Sequence, residues 1–360
     1  MSDVADSVLQ VADEWAIRFD GVSKRYASGE AGKGPAAVHD LNLDVRPHEV
    51  LVLVGPSGCG KSTTMRMANR LVEPTSGRIL LEGDDVTDVD PVQLRRRMGY
   101  VIQNVGLFPH RTVAQNVATV PKLLGWDRKR TRDRVDELLA LVGLEPSRYA
   151  KRYPHELSGG ERQRVGVARA LATDPPVLLM DEPFGAVDPV GRRRLQTEFA
   201  RIQRELGTTV MLVTHDIDEA VRMADRVAVL SEGAHIEQLA PPLEIVAHPA
   251  TDRVADLVGR GRTARLMSLG RLERADLEDD EAGTVVDGPH VELGTDLGDV
   301  LDHLVDEDRG GVGVPVWENG QAIGRVTGQS VLRALRRLAD EGRTGEQEPL
   351  ALADDEAATA

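Results

Sequence analysis

An α/β fold built on a parallel sheet is predicted by three features of the sequence. Across residues 15–260, short apolar runs alternate with longer stretches of helical periodicity. One of those runs, "EVLVLVG" (49–55), leads straight into "GPSGCGKST" (55–63), a glycine-rich loop that opens a helical pattern. Two more, "PVLLMDE" (176–182) and "TTVMLVTHD" (208–216), carry acidic and imidazole side chains to their ends, where open α/β sheets bind ligands.

The elements follow in order. "AIRFDGVSKRY" (16–26) reads as an edge strand, and "AVHDLNLDV" (37–45) alternates as a strand does. "EVLVLVG" has the unbroken apolar character of a strand covered on both faces. Residues 61–71 then read as a helix, and 104–175 are mostly helical and interrupt the strand pattern. The runs at 176–182 and 208–216 are buried strands, each followed by a helical stretch. "DRVAVLSEGAHIEQL" (225–239) reads as a hairpin turned at Glu232-Gly233. Residues 274–288 read as a linker or loop. Beyond it come a helix at 296–308, a hairpin at 311–327 turned by Asn319-Gly320, and a closing amphipathic helix at 329–342. A flexible leader is expected over 1–14 and a disordered tail over 344–360.

Composition narrows the function. The chain has 360 residues, 41% of them hydrophobic, enough for a real core. No run of 18 apolar residues is present, so nothing is expected to span a bilayer. The acidic start lacks the basic-then-apolar order of a signal peptide. A single cysteine, Cys59, excludes an internal disulfide and fits a reducing, cytoplasmic compartment. Residues 1–260 hold 34 Lys and Arg against 37 Asp and Glu, while 261–360 hold 10 against 22. A nearly neutral front and an acidic back suggest two units with different roles. Neither is basic, which argues against nucleic-acid binding.

The loop at 55–63 fits G-x-x-x-x-G-K-[ST] between a buried strand and a helix, the setting of a phosphate cradle. Gly55, Gly58 and Gly60 let the backbone from Pro56 to Thr63 wrap so that its N–H groups, from Ser57 onward, turn inward on phosphate oxygens. The helix that starts near Lys61 adds its positive end. Lys61 is then the cation for the outer phosphates of ATP and Ser62 a ligand of Mg²⁺. Cys59 needs only to be small. A P-loop needs an acidic partner for the metal, and Asp181 stands at the end of a buried strand to supply it. Glu182 follows, placed to polarise a water.

A second Ser-Gly-Gly lies a hundred residues on. "LSGGERQRVGVARAL" (157–171), followed by "PPVLLMDEP", closely resembles the nucleotide-binding subunits of ABC transporters, and the resemblance covers residues 15–260. It implies a P-loop ABC-type domain with a helical subdomain at about 104–175. It implies that Ser158, Gly159, Gly160 and Glu161 form the signature that contacts a nucleotide on a partner chain. Gln103 matches the Q-loop glutamine, which implies a catalytic and Mg²⁺-binding role. Asp188 matches the D-loop aspartate, with Gly185 where serine is usual. His215 matches the switch histidine and Tyr26 the aromatic that stacks on adenine. One P-loop and one signature per chain imply a homodimer. Arg162, Arg164 and Arg169 read mostly as a solvated helix face.

More narrowly, the stretches around 101–130 and 152–172 are similar to the ATPase subunits of quaternary-amine importers for glycine betaine, carnitine, choline or proline. That implies a peripheral position on the cytoplasmic face of the membrane. It also implies permease subunits docked on Asn104 to Trp126, and a substrate-binding protein engaged indirectly. Residues 291–335 resemble one CBS motif, in an α+β domain over 261–343. In that family such motifs bind adenine nucleotides or sense ionic conditions, with Val314, Pro315 and Thr327 to Ser330 as candidate contacts; the alternative is that the tail only strengthens dimerisation. An importer for another small solute, such as an amino acid or a sulfonate, is the alternative reading. A soluble ABC ATPase outside transport would need a second nucleotide domain, a coiled-coil insertion or a basic face.

Overall fold

A computed structural model describes residues 15–26, 36–102, 105–185, 187–278, 289–307 and 313–341. The leader, the tail, Gln103 and Asn104 lie outside the described residues. The chain divides into two compact units, Met1–Ile245 with Ala250–Val258, and Val246–Pro249 with Gly259–Ala360. No helix among the described residues is long and apolar enough to cross a membrane.

The first unit opens with β1 (Ile17–Lys24), β2 (Val38–Val45), β3 (Val50–Val54), β4 (Ser76–Leu81) and β5 (Asp84–Asp85). An antiparallel sheet runs in the order β2-β1-β4-β5. β1 is therefore not an edge strand: it pairs with β2 on one side and β4 on the other. Its alternation of buried Ile17, Phe19 and Val22 reports which face is covered and says nothing about its backbone edges. β4 carries only three apolar residues, all at its end, which is a weak sequence signal.

Between these strands α1 (Lys61–Ala68) starts at the glycine loop. It stops earlier than the expected residue 71, because Arg70 adopts φ 51, outside helical space. α2 (Pro91–Arg97) is capped by Asp90, whose carboxylate accepts from the amides of Val92 and Gln93. The short strand β6 (Met98–Val101) follows. Five helices come next: α3 (Val113–Val117), α4 (Thr119–Leu123), α5 (Arg128–Leu141), α6 (Pro146–Tyr149) and α7 (Gly159–Ala170). The chain then alternates through β7 (Val177–Asp181), α8 (Pro189–Leu206), β8 (Thr209–Thr214), α9 (Ile217–Met223), β9 (Arg226–Ser231) and β10 (His235–Ala240).

The second sheet runs β10-β9-β3-β8-β7-β6, parallel except for the β9–β10 hairpin. β3, β7 and β8 are buried at every position, which is why their sequences are unbroken apolar runs. One core joins both sheets: Phe19, Leu41 and Ile79 belong to the same buried cluster as Leu53, Met211 and Val213, with Met65 of α1 among them. Burying each large apolar side chain contributes about 1.5–3 kcal/mol. This core fixes where the carboxyl ends of β3, β7 and β8 stand.

α10 (Pro242–Ala247) and α11 (Asp252–Val258) follow β10, with α11 in the first unit, and the second unit goes on with α12 (Arg262–Leu269). Then come β11 (Val291–Glu292), α13 (Leu297–Glu307), β12 (Val314–Glu318), β13 (Gln321–Val326) and α14 (Gly328–Glu341). The sheet order is β11-β12-β13, with β11 parallel to β12. The hairpin turns at Asn319 (φ 52) and Gly320 (φ 78), the left-handed pair that a two-residue turn requires. α12 and β11 had no assignment from the sequence. The buried carboxylate of Asp276 pairs with Arg337 of α14 at 2.9 Å, and Glu273 and Glu341 share the same guanidinium. Val314 and Ser330 are buried, and Thr327 and Ser330 exchange the hydrogen bonds that cap α14.

Candidate functional site

The loop between β3 and α1 wraps tightly. Gly60 has φ 114, and a Cβ there would stand 2.5 Å from the carbonyl oxygen of Ala37 and 3.0 Å from the Cβ of Ala234. Only glycine lets the loop come so close. The loop is held there by the amide of Ala234, which donates to Cys59 O at 2.7 Å, while the amide of Ala37 donates to Lys24 O at 2.9 Å. Pro56, Ser57 and Gly58 are exposed on the loop's crown, while Gly55, Cys59 and Gly60 are buried beneath it. Cys59 packs in the core.

Lys61 is only 6% exposed. Its ammonium donates to the carbonyl oxygens of Gly55 at 2.7 Å and Pro56 at 2.8 Å. No carboxylate pairs with it among the described residues. It also lies 3.7 Å from the Cys59 sulfur, and a buried cation matched only by such neutral acceptors favours an anion beside it. Ser62 donates its hydroxyl to Asp181 Oδ1 at 3.0 Å, and Asp181 is itself buried. A hydroxyl and a carboxylate so placed are the hard oxygen donors that Mg²⁺ takes, so this chain's residues fit the metal. Thr63, the next residue, is half-buried.

Glu182 leaves β7 in the left-handed region, φ 45, with its amide bonded to Val213 O at 2.9 Å. A glutamate in that conformation is strained, and such strain concentrates at functional sites. Its Oε2 lies 3.3 Å from Nδ1 of His215, whose side chain is largely exposed. Lys61, Ser62, Asp181, Glu182 and His215 thus gather at the carboxyl ends of β3, β7 and β8.

Ser158 and Glu161 stand apart from this group. Ser158 caps α7, and its own amide donates to Glu161 Oε2 at 2.7 Å in a reciprocal capping box. The hydroxyl of Tyr149 donates to Glu161 Oε1 at 2.7 Å, and with the Ser158 amide it holds this carboxyl down to about 2. Gly159 and Gly160 form the first turn. No hydrogen bond or ion pair among the described residues links Ser158–Glu161 to the P-loop. Asp188 caps α8 through the amide of Gly191 at 2.9 Å. Tyr26 is 46% exposed just past β1, so it is not a core residue. Gln103 lies outside the described residues.

Two groups escaped the sequence reading. Arg169 is not on a solvated face: its guanidinium donates to Val105 O at 2.6 Å and Gly106 O at 2.7 Å, and burial lowers its pKa. Val105 is held at φ 55, rare for a β-branched residue, and Gly166 leaves room for its side chain. Arg162 is exposed, as expected of a solvated helix face, and donates to Leu157 O at 2.7 Å. Glu219, on α9, is the other. Burial pushes its carboxyl up to about 7, against the pull of the Thr214 hydroxyl at 2.9 Å. Its spacing from His215 was the only available signal.

Glu219 gives a pH prediction. A carboxyl whose folded pKa is raised stabilises fully below its unfolded pKa and loses that contribution as pH climbs through about 7. From this group alone, stability falls by roughly 3 kcal/mol between pH 4.5 and 8. Glu219→Gln is expected to remove that slope, so denaturant midpoints of variant and parent diverge at pH 8 in the variant's favour and converge near pH 5. Parallel curves would refute it.

The ABC transporter family profile matches residues 38–185. The osmoprotectant import ATP-binding protein OsmV of Salmonella typhimurium is 47% identical over 287 residues, covering 80% of this chain and 74% of that protein. The glycine betaine uptake system ATP-binding protein YehX of Escherichia coli is 53% identical over 270 residues, covering 73% and 85%. Among solved structures, the dimeric post-hydrolysis state of the ATP-binding cassette MJ0796 bound to ADP and Pi superposes with a TM-score of 0.56 at 32% identity, covering 63% of this chain and 98% of that one. The α/β architecture, the P-loop and these relatives agree: the chain belongs to the ATP-binding subunits of ABC transporters, ATPases coupled to transport.

Proposed function

We propose that the chain powers import of a compatible solute, with glycine betaine first among the candidates and carnitine, choline and proline beside it. The observation that carries the ATPase reading is the buried ammonium of Lys61, without a carboxylate partner among the described residues, beside the Ser62–Asp181 pair. The solute rests on the relatives named for osmoprotectant and glycine betaine transport.

Lys61 and the loop Gly55 to Thr63, through its N–H groups from Ser57 onward, bind the phosphates of ATP. Ser62 and Asp181 hold Mg²⁺, with Gln103 as a further ligand; bound there, the metal supplies positive charge against the phosphate oxygens. Glu182 accepts a hydrogen bond from the attacking water and orients it. His215 steadies Glu182 and senses the outer phosphate. Tyr26 stacks on the adenine, and its exposed ring supports that role. Ser158, Gly159 and Gly160 serve the nucleotide of a second copy, with Asp188 at the same face, and Glu161 holds that turn in shape. ATP thus binds the closed dimer more tightly than the open one, and hydrolysis reverses the preference.

Permease subunits dock on the stretch from Asn104 to Trp126, where Phe108, Leu123 and Leu124 expose apolar surface. That places the chain on the cytoplasmic face of the membrane. The ATPase domain is assigned to 15–260 and its helical subdomain to about 104–175. The C-terminal unit, assigned to 261–343, is read as one CBS-like motif that strengthens dimerisation or binds an adenine nucleotide. Its α13-β12-β13-α14 order supports the motif.

Uptake of labelled glycine betaine at high and low salt, in cells with and without the gene, tests the proposal. Loss of salt-stimulated uptake in the deletion is the expected result. Unchanged uptake, with no second betaine system in the strain, would overturn the solute and leave the ATPase standing.

A further inference from the structure

β7 and β8 are parallel neighbours, and the turns that follow them carry groups with different tasks. After β7 come Glu182 and the Val187–Asp188 turn; after β8 come His215 and Asp216. Beside the Glu182–His215 contact, the side chain of Arg192 also spans the two turns. Arg192, in the first turns of α8, donates through one guanidinium nitrogen to Val187 O at 3.3 Å. Its other terminal nitrogen lies 3.6 Å from Asp216 Oδ2.

The surroundings make this bridge specific. Asp216 divides its carboxylate: Oδ1 accepts from the amides of Asp218 at 2.9 Å and Glu219 at 3.4 Å, capping α9, while Oδ2 faces Arg192. The amide of Asp216 donates to Thr214 Oγ1, and Thr214 donates to Glu219. On the other side, Arg192 N donates to Asp188 O at 2.8 Å, so the residue that carries the bridge also belongs to the Asp188 cap. Contacts therefore run in a ring: Glu182 to His215, Asp216 to Arg192, Arg192 to Val187, and Gly185 N back to Glu182 O at 3.2 Å. Nε of Arg192 and Oε1 of Glu219 are both buried without a hydrogen-bond partner among the described residues. A polar cluster left incompletely paired is one that a small shift of either turn can re-pair.

We propose that Arg192 is a positioning residue that ties the Val187–Asp188 turn to the His215–Asp216 turn, so that both move as one. The inference rests on the proposed two-faced site, in which His215 reads the bound phosphate and Asp188 lies toward the partner chain. An ion that holds both turns transmits what happens at the first to the second. It touches no reacting atom, and it acts through Asp216 and Val187.

The test uses the full chain in a Glu182→Gln background, comparing Arg192→Ala, Arg192→Lys, Asp216→Asn and the Arg192→Ala/Asp216→Asn pair. Titration with ATP reads binding to each chain, and sedimentation reads the ATP concentration at which dimers form. Arg192→Ala and Asp216→Asn are each expected to raise that concentration at least about tenfold, with ATP binding changed less than about threefold, and the pair no worse than the poorer single variant. Arg192→Lys keeps charge against Asp216 but has one head group for two partners, so it falls between. If Arg192→Ala fails to melt cooperatively, the Lys and Asn variants decide the question alone. Dimerisation at the parent's concentration, or losses that multiply in the pair, would overturn the inference. A parent that never dimerises with ATP would instead overturn the two-faced site, and this inference with it.

Discussion

Glu182→Gln is expected to cut ATP hydrolysis at least about 100-fold while leaving an ATP-bound dimer that survives gel filtration. The substitution keeps the volume and one carbonyl oxygen but removes the charge that orients water. The backbone fixes where Glu182 stands: with a left-handed φ and its amide bonded to Val213 O, its side chain lies beside His215. Because Lys61, Ser62 and Asp181 are untouched, binding persists and the closed state accumulates. Hydrolysis within a few-fold of the parent, or a monomer at saturating ATP, would contradict this role.

Lys61→Ala is expected to weaken ATP binding by about 100-fold or more, because it removes a charge-assisted contact at a buried position. The loss extends beyond charge. The ammonium bridges the carbonyls of Gly55 and Pro56, so its removal is also expected to loosen the glycine loop proposed to hold the phosphates. Calorimetric titration with ATP reads the affinity, and a melting curve separates it from unfolding. Affinity unchanged in a chain that melts normally would show that the anion sits elsewhere.

Sequence reasoning succeeded where a local pattern carries the physics. The glycine loop is contiguous, and its flanking strand and helix are written beside it. Asp181 follows from four apolar residues that can only be a buried strand, and Asn319-Gly320 announces its own turn geometry. It failed where the partner is distant. Arg169 resembles any helical surface arginine until the fold brings the carbonyls of Val105 and Gly106 to it. Glu219 becomes an unusual acid only once α9 buries it against Thr214. β1 was misplaced at an edge because β4, with three apolar residues, was not visible as its second neighbour.

The central claim is that one chain supplies the phosphate loop and a second chain the Ser158–Gly160 turn of the same site. The most direct measurement mixes two variants, each also carrying Glu182→Gln: Lys61→Ala, with its own loop disabled, and Ser158→Arg, with its own turn disabled. Each alone should remain monomeric with ATP by sedimentation. The equimolar mixture should form dimers holding one ATP per two chains, because the intact loop of one meets the intact turn of the other. A mixture that stays monomeric, while the Glu182→Gln parent dimerises, would contradict the shared site.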